Sequence, residues 1–144
     1  MGRRWTSRLL LLALLALAGA CAPLKPAPPV TAAADHLYLV AHPDVKLSLT
    51  QVRDLYLGDV LPDAGAVLVA VDNAAAQNEF LRRVVKLERN QYEKLWERRA
   101  FRDGASPPLR LGGDAAVLAF VRKTPGAVGY VRTRPERVNV LHKL

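Results

Sequence analysis

A run of ten residues drawn only from Leu and Ala, Leu9 to Ala18, decides how much of this chain is left to fold. As a helix it reaches roughly 15 Å, about half of a bilayer's hydrocarbon core, so it is too short to span a membrane. It follows a basic stretch, Gly2-Arg3-Arg4 with Arg8 closing it, and leads into the small residues Ala18-Gly19-Ala20. A positive region, a short apolar core and small residues in that order describe a secretory signal, here residues 1–20. Discounting the signal's three Arg leaves 18 basic residues against 13 acids, so the formal charge of +8 falls to about +5.

Cys21 comes directly after the small residues and is the one Cys of the chain. Ala18-Gly19-Ala20-Cys21 resembles the lipobox of a bacterial lipoprotein, in which Cys21 becomes the lipidated first residue. The alternative is an ordinary cleavage site with an incidental thiol, but a lone thiol in an oxidising compartment is otherwise a liability. The lipoprotein reading places the chain in the periplasm on a lipid anchor. Ala22 rather than Asp after the Cys favours the outer membrane, by resemblance to sorting rules. Ala22 to Asp35 has four Pro and five Ala in 14 residues and no hydrophobic period. Residues 21–35 are therefore a tether, semi-extended at about 3 Å per residue and holding the domain about 40 Å from its anchor.

The remaining residues, 36–144, read as one α/β domain with a short mixed sheet flanked by about four helices. Leu37 to Ala41 is an apolar run stopped by His42-Pro43-Asp44 and reads as a buried strand. Ser48 with Gln51 three residues on is a capping box, and Val52, Leu55 and Tyr56 follow at helical spacing until Gly58. After a turn at Leu61 to Gly65, Val67 to Val71 is a second strand. Asp72-Asn73 then reads as the N-cap of a helix from about Ala74 to Lys86, with Phe80, Leu81, Val84 and Val85 inward. Asn90-Gln91-Tyr92-Glu93 repeats the capping pattern for a third helix, whose stripe is Tyr92, Leu95, Trp96, Ala100 and Phe101. Leu109 to Leu111 is a brief strand and Gly112-Gly113-Asp114 a loop and N-cap. Ala115 to Val121 is a helix apolar nearly all round, expected to be well buried. Thr124-Pro125-Gly126-Ala127 has Pro and Gly where a type II turn requires them. Ala127 to Val131 is the strand that follows, and Val138 to Leu141 a terminal or edge strand.

Three of these segments, Ser48-Leu-Thr-Gln-Val-Arg-Asp-Leu-Tyr-Leu-Gly58, Leu95-Trp-Glu-Arg98 and Thr124-Pro-Gly-Ala-Val-Gly-Tyr-Val131, resemble the phosphate-binding proteins of ABC importers. The resemblance covers most of residues 36–142 and implies part of a type II periplasmic binding fold, in which two α/β lobes close on a ligand. It implies no enzyme activity and no cofactor. Phosphate or another small anion is the ligand it implies, and an ABC transporter or a periplasmic protein the partner. Two departures stand out. The segment that would build part of one lobe and supply phosphate ligands is replaced here by signal and tether. The family's remaining ligand loop, of the form R-x-D-G-S-G-T, aligns with Val71 to Gln77, where the Arg and both hydroxyls are absent. What remains is a helix N-terminus, where backbone N–H groups attract anions. The candidate ligand-binding residues are thus the backbone of Asn73, Ala74, Ala75 and Ala76 with the side chains of Gln77 and Asn78. An accessory module that kept the fold and binds a protein or anionic surface is the alternative.

Other chemistries lack their residues. His36, His42 and His142 have no ligand spacing, which argues against a metal site. Asp54, Asp59 and Asp63 cluster in sequence as turn and helix-surface residues, with no announced cleft. No G-x-S-x-G, P-loop or dinucleotide fingerprint occurs. The Arg-rich segments around residues 82–86, 98–102 and 132–137 read as solvated faces or as attraction to an anionic surface. Export and the lack of interleaved aromatic residues argue against nucleic acid.

Overall fold

The computed structural model describes residues 36–62, 65 and 67–144. The signal, Cys21 and the tether lie outside them, as does part of the turn expected at Leu61 to Gly65. The elements in chain order are β1 (Tyr38–Ala41), α1 (Leu49–Leu57), β2 (Val69–Asn73), α2 (Gln77–Phe80) running into a π-helical turn (Leu81–Val85), and α3 (Arg89–Asp103). They continue with β3 (Leu109–Leu111), α4 (Asp114–Lys123), β4 (Ala127–Val131) and β5 (Asn139–Lys143). The five strands form one mixed sheet in the order β3-β2-β4-β1-β5. β2 is parallel to both β3 and β4, whereas β1 is antiparallel to both β4 and β5.

Alternation along the central strands divides the core into two layers, as the period of two dictates. Leu39 and Ala41 of β1 with Val128 and Tyr130 of β4 join Val52 and Tyr56 of α1, Phe80, Leu81 and Val84, and Tyr92 and Trp96 of α3. Val40, Val71, Ala127 and Val131 instead meet Val117 and Val121 of α4 on the other face. Within the first layer the Phe80 and Tyr130 rings stack at 4.0 Å, and Tyr56 lies 4.5 Å from Phe80. The Tyr56 hydroxyl donates to the Val71 carbonyl at 2.6 Å and lies 3.2 Å from that of Val128, tying α1 to two strands. Burial pushes its phenol well above the ordinary value.

The capping box at Ser48 forms as expected. Ser48 Oγ accepts from Gln51 N at 3.2 Å, Gln51 Oε1 accepts from Ser48 N at 2.9 Å, and Gly58 closes α1 with φ +84°. Ser48→Ala is expected to cost about 1 kcal/mol, read as a lower urea midpoint with unchanged slope. The type II turn also forms, with the Ala127 N–H donating to Thr124 O at 3.1 Å and Gly126 at φ +79°. Gly129 permits the approach of α4, since a Cβ there would lie 2.7 Å from Val117 Cγ1.

Four expectations need correction. The second strand is displaced toward the C-terminus and takes in Asp72 and Asn73, which are therefore ladder residues and not an N-cap. The helix after it starts at Gln77 from Ala76, without a side-chain cap. Its last turn widens to π geometry and stops at Lys86 with φ 64°. The cap of α3 is Glu88, paired reciprocally with Gln91, so α3 begins one turn's fraction before Asn90. Its inward stripe ends at Trp96, since Ala100 is exposed and Phe101 is 95% exposed. Finally, α4 begins at Asp114 with Gly113 as its N-cap, and it buries one face through Val117 and Val121, leaving Ala115, Ala116 and Ala119 exposed.

Candidate functional site

The C-terminal end of β2 gathers the buried polar groups of the domain. Asp72, Asn73 and Gln77 are buried there, and the sheet places each of their partners. Parallel pairing sets Arg110 of β3 directly beside Asp72. Asp72 Oδ1 accepts from the Tyr130 hydroxyl at 2.9 Å, and Oδ2 accepts from Gln77 Nε2 at 3.0 Å and faces the Tyr92 hydroxyl at 3.4 Å. Burial pushes the Asp72 carboxyl above its ordinary range. The three donors and the nearby Arg110 guanidinium act against that shift without cancelling it. The same burial, reinforced by the Asp72 charge, raises the phenols of Tyr92 and Tyr130, so both stay protonated and remain donors.

Asn73 is tied differently. Its Nδ2 donates to Asp114 Oδ1 at 2.6 Å and to the Tyr130 carbonyl at 3.1 Å. Asp114 Oδ2 in turn accepts the Arg132 and Thr133 amides at 3.0 and 2.8 Å, joining the start of α4 to the segment after β4. Three of the four amides expected to face an anion donate within the chain: Ala74 N to Leu111 O, Ala75 N to Asn73 Oδ1, and Ala76 N to Asn73 O. Gln77 spends its amide on Asp72 and its carbonyl on Arg110, whose Nη2 donates to it at 3.0 Å. Asn78 stands apart and accepts from Arg89 Nε at 2.9 Å. The stretch 73–78 therefore comes together as a turn that closes on its own chain, with a buried carboxylate immediately before it.

Asp72 also forms the inner end of a cavity of about 360 Å³ between α3 and β3, with Gln77, Tyr92, Trp96 and Arg110 among its walls. Sequence reasoning missed this constellation. Tyr92 and Trp96 were legible as an inward stripe, but Asp72 and Arg110 meet only through strand register, and no local spacing announces that pairing.

Several of the basic residues are engaged by neighbours. Glu79 holds Arg83 and Arg132, each at 3.2 Å, and Arg99 reaches Asp59 at 2.8 Å and the Gly58 carbonyl at 3.0 Å. Among the described residues, no group of three or more His, Cys, Asp and Glu side chains is placed to hold a metal ion. No helix among them is long and apolar enough to cross a membrane. No protein-family model matches the chain, and no curated protein matches it either.

Proposed function

We propose that the protein is an exported, lipid-anchored and non-enzymatic binding module, its domain related to part of a phosphate-type substrate-binding protein but no longer an oxyanion receptor. The observation that carries this reading is the pairing of the Ala74, Ala75 and Ala76 amides inside the chain. An oxyanion at a helix N-terminus is held by amides that have no partner of their own and by the positive end of the helix dipole. Here those amides are taken, α2 proper is four residues long, and the carboxylate of Asp72 directly precedes the turn. Such a module acts as an accessory component on the membrane surface, beside an ABC transporter or another periplasmic protein, with the basic faces available to an acidic partner.

Calorimetric titration of the protein with phosphate and sulfate tests the reading. No saturable heat is expected for either anion at low or physiological salt. Saturable micromolar phosphate binding that is lost when Asn73 and Gln77 are both changed to Ala would overturn it and restore a solute-uptake role.

A further inference from the structure

The outward side of α3 combines unpaired cations with the most exposed large apolar side chain among the described residues, Phe101 at 95%. Tyr92 and Trp96 are buried and fix the inward side of the helix. At 3.6 residues per turn, Lys94, Arg98 and Phe101 all fall within about 40° of the direction opposite Trp96, and Arg102 lies next to them. All four are exposed, and no carboxylate shares their stripe. Glu93 and Glu97 lie to one side of it, where they line the cavity with β3, and Asp103 lies toward the inward side. Asp103 pairs with Arg102 at 2.6 Å, but the side chains of Lys94 and Arg98 have no ion-pair or hydrogen-bond partner among the described residues.

A phenyl ring standing clear of a helix, with free cations one and two turns before it, suits some occupants better than others. A second copy of the chain would bring the same cations face to face. A protein partner needs a pocket shaped for the protruding ring. An anionic bilayer needs none, since an aromatic ring enters the boundary between headgroups and acyl chains while Lys and Arg lay their aliphatic stems along it and keep their charges on the lipid phosphates. Residues 21–35, between Cys21 and the domain, reach about 40 Å when semi-extended, far enough for any face of a domain this size to meet the surface that anchors it. The face that docks is then selected by its chemistry.

We propose that α3 docks the domain on an anionic lipid bilayer, with Phe101 entering the headgroup boundary and Lys94, Arg98 and Arg102 on the lipid phosphates. The proposal rests on the reading of the chain as a lipid-anchored module and names the partner of one of its basic faces. It also orients the domain, because α4 packs on the opposite face of the sheet and is turned away from the membrane.

The full chain is expressed with its signal, purified and reconstituted into vesicles of brominated phosphatidylcholine, with or without phosphatidylglycerol. Phe101→Trp places an indole on this face without touching the core, and Trp5 and Trp96 are common to the variant and the unsubstituted protein. Bromine quenches an indole at close range, so quenching beyond that of the unsubstituted protein reports entry of position 101 into the lipid. Such quenching is expected with phosphatidylglycerol at low salt, and it should be lost at high salt and in phosphatidylcholine alone. Adding Lys94→Gln and Arg98→Gln should lower the ratio of docked to free domain about 25-fold, at about fivefold for each cation, with unchanged circular dichroism. Equal quenching in the two lipids overturns the proposal. Quenching no greater than that of the unsubstituted protein overturns it too, and leaves this face to an acidic protein. Mass spectrometry showing no lipid on Cys21 would defeat the anchored reading alone, since quenching by anionic vesicles is then still read with lipid in excess.

Discussion

Gly126→Ala is expected to lower the stability of the domain by about 3–5 kcal/mol, the sum of a left-handed penalty and an unrelieved overlap. Gly126 has φ +79°, and a Cβ built there would lie 2.1 Å from the Val67 carbonyl oxygen. Backbone, not a flexible side-chain end, blocks the methyl group. Relief requires the strand entering the sheet to move, and the Gly126 carbonyl itself receives the Val69 N–H at 2.9 Å at that point. The turn thus cannot shift without opening the junction of β2 and β4. Gly104 is the internal control, since it has φ +66° with nothing within 4 Å of its Cβ position. Gly104→Ala should cost only the conformational term, about 1–2 kcal/mol. Urea unfolding of both variants checks the ordering, and equal losses would show that the Val67 contact does not matter.

Asp72→Ala is the second change with a large effect, expected to cost about 3 kcal/mol or more because it strands buried donors. Tyr130, Gln77 and Tyr92 each direct a polar hydrogen at this carboxylate from a different element. Removing it takes from all three the acceptor they share at the inner end of the cavity. Asp72→Asn keeps the size and separates charge from shape. Because burial raises the Asp72 carboxyl in the folded state above the 3.8 of an ordinary aspartate, the folded protein holds its proton to higher pH than the unfolded chain does. Stability therefore falls as pH rises from below 3.8 through the raised folded value, and the deficit persists above it. Relative to Asp72→Asn, the unmodified protein is expected to lose stability across that window. A difference growing in its favour with rising pH would mean that the donors and Arg110 outweigh desolvation.

The sequence carried the fold well wherever a local rule decided the outcome. Ser48 with Gln51, Thr124 to Ala127, and Gly129 in a buried strand each have one geometry that satisfies the backbone, and each takes it. The errors fell where distant segments compete with local preference. Asp72 and Asn73 suit an N-cap, yet Tyr130 is 58 positions from Asp72 and Asp114 is 41 from Asn73, and those bonds draw both residues into the sheet. Phe101 followed an inward stripe by spacing alone, but α3 extends beyond the layer that its first half covers, so the ring reaches solvent. The cavity was illegible for a similar reason. Its aromatic wall belongs to one helix and shows in the spacing, whereas the Asp72–Arg110 pair exists only once β2 and β3 are in register.

The sheet order also sets when the domain can assemble. β1 is an inner strand, and both of its neighbours, β4 and β5, come from residues 127–143, with Leu37 and Leu144 exchanging amide and carbonyl bonds at its start. Closure thus spans nearly the whole domain, a high contact order that slows folding and makes it wait for the last strands. A nascent chain lacking β4 and β5 holds β1 without any partner. In the proposed exported setting, that delay keeps the polypeptide threadable through a secretion channel until translation has passed β5, and a truncation before Ala127 should leave it permanently unable to close.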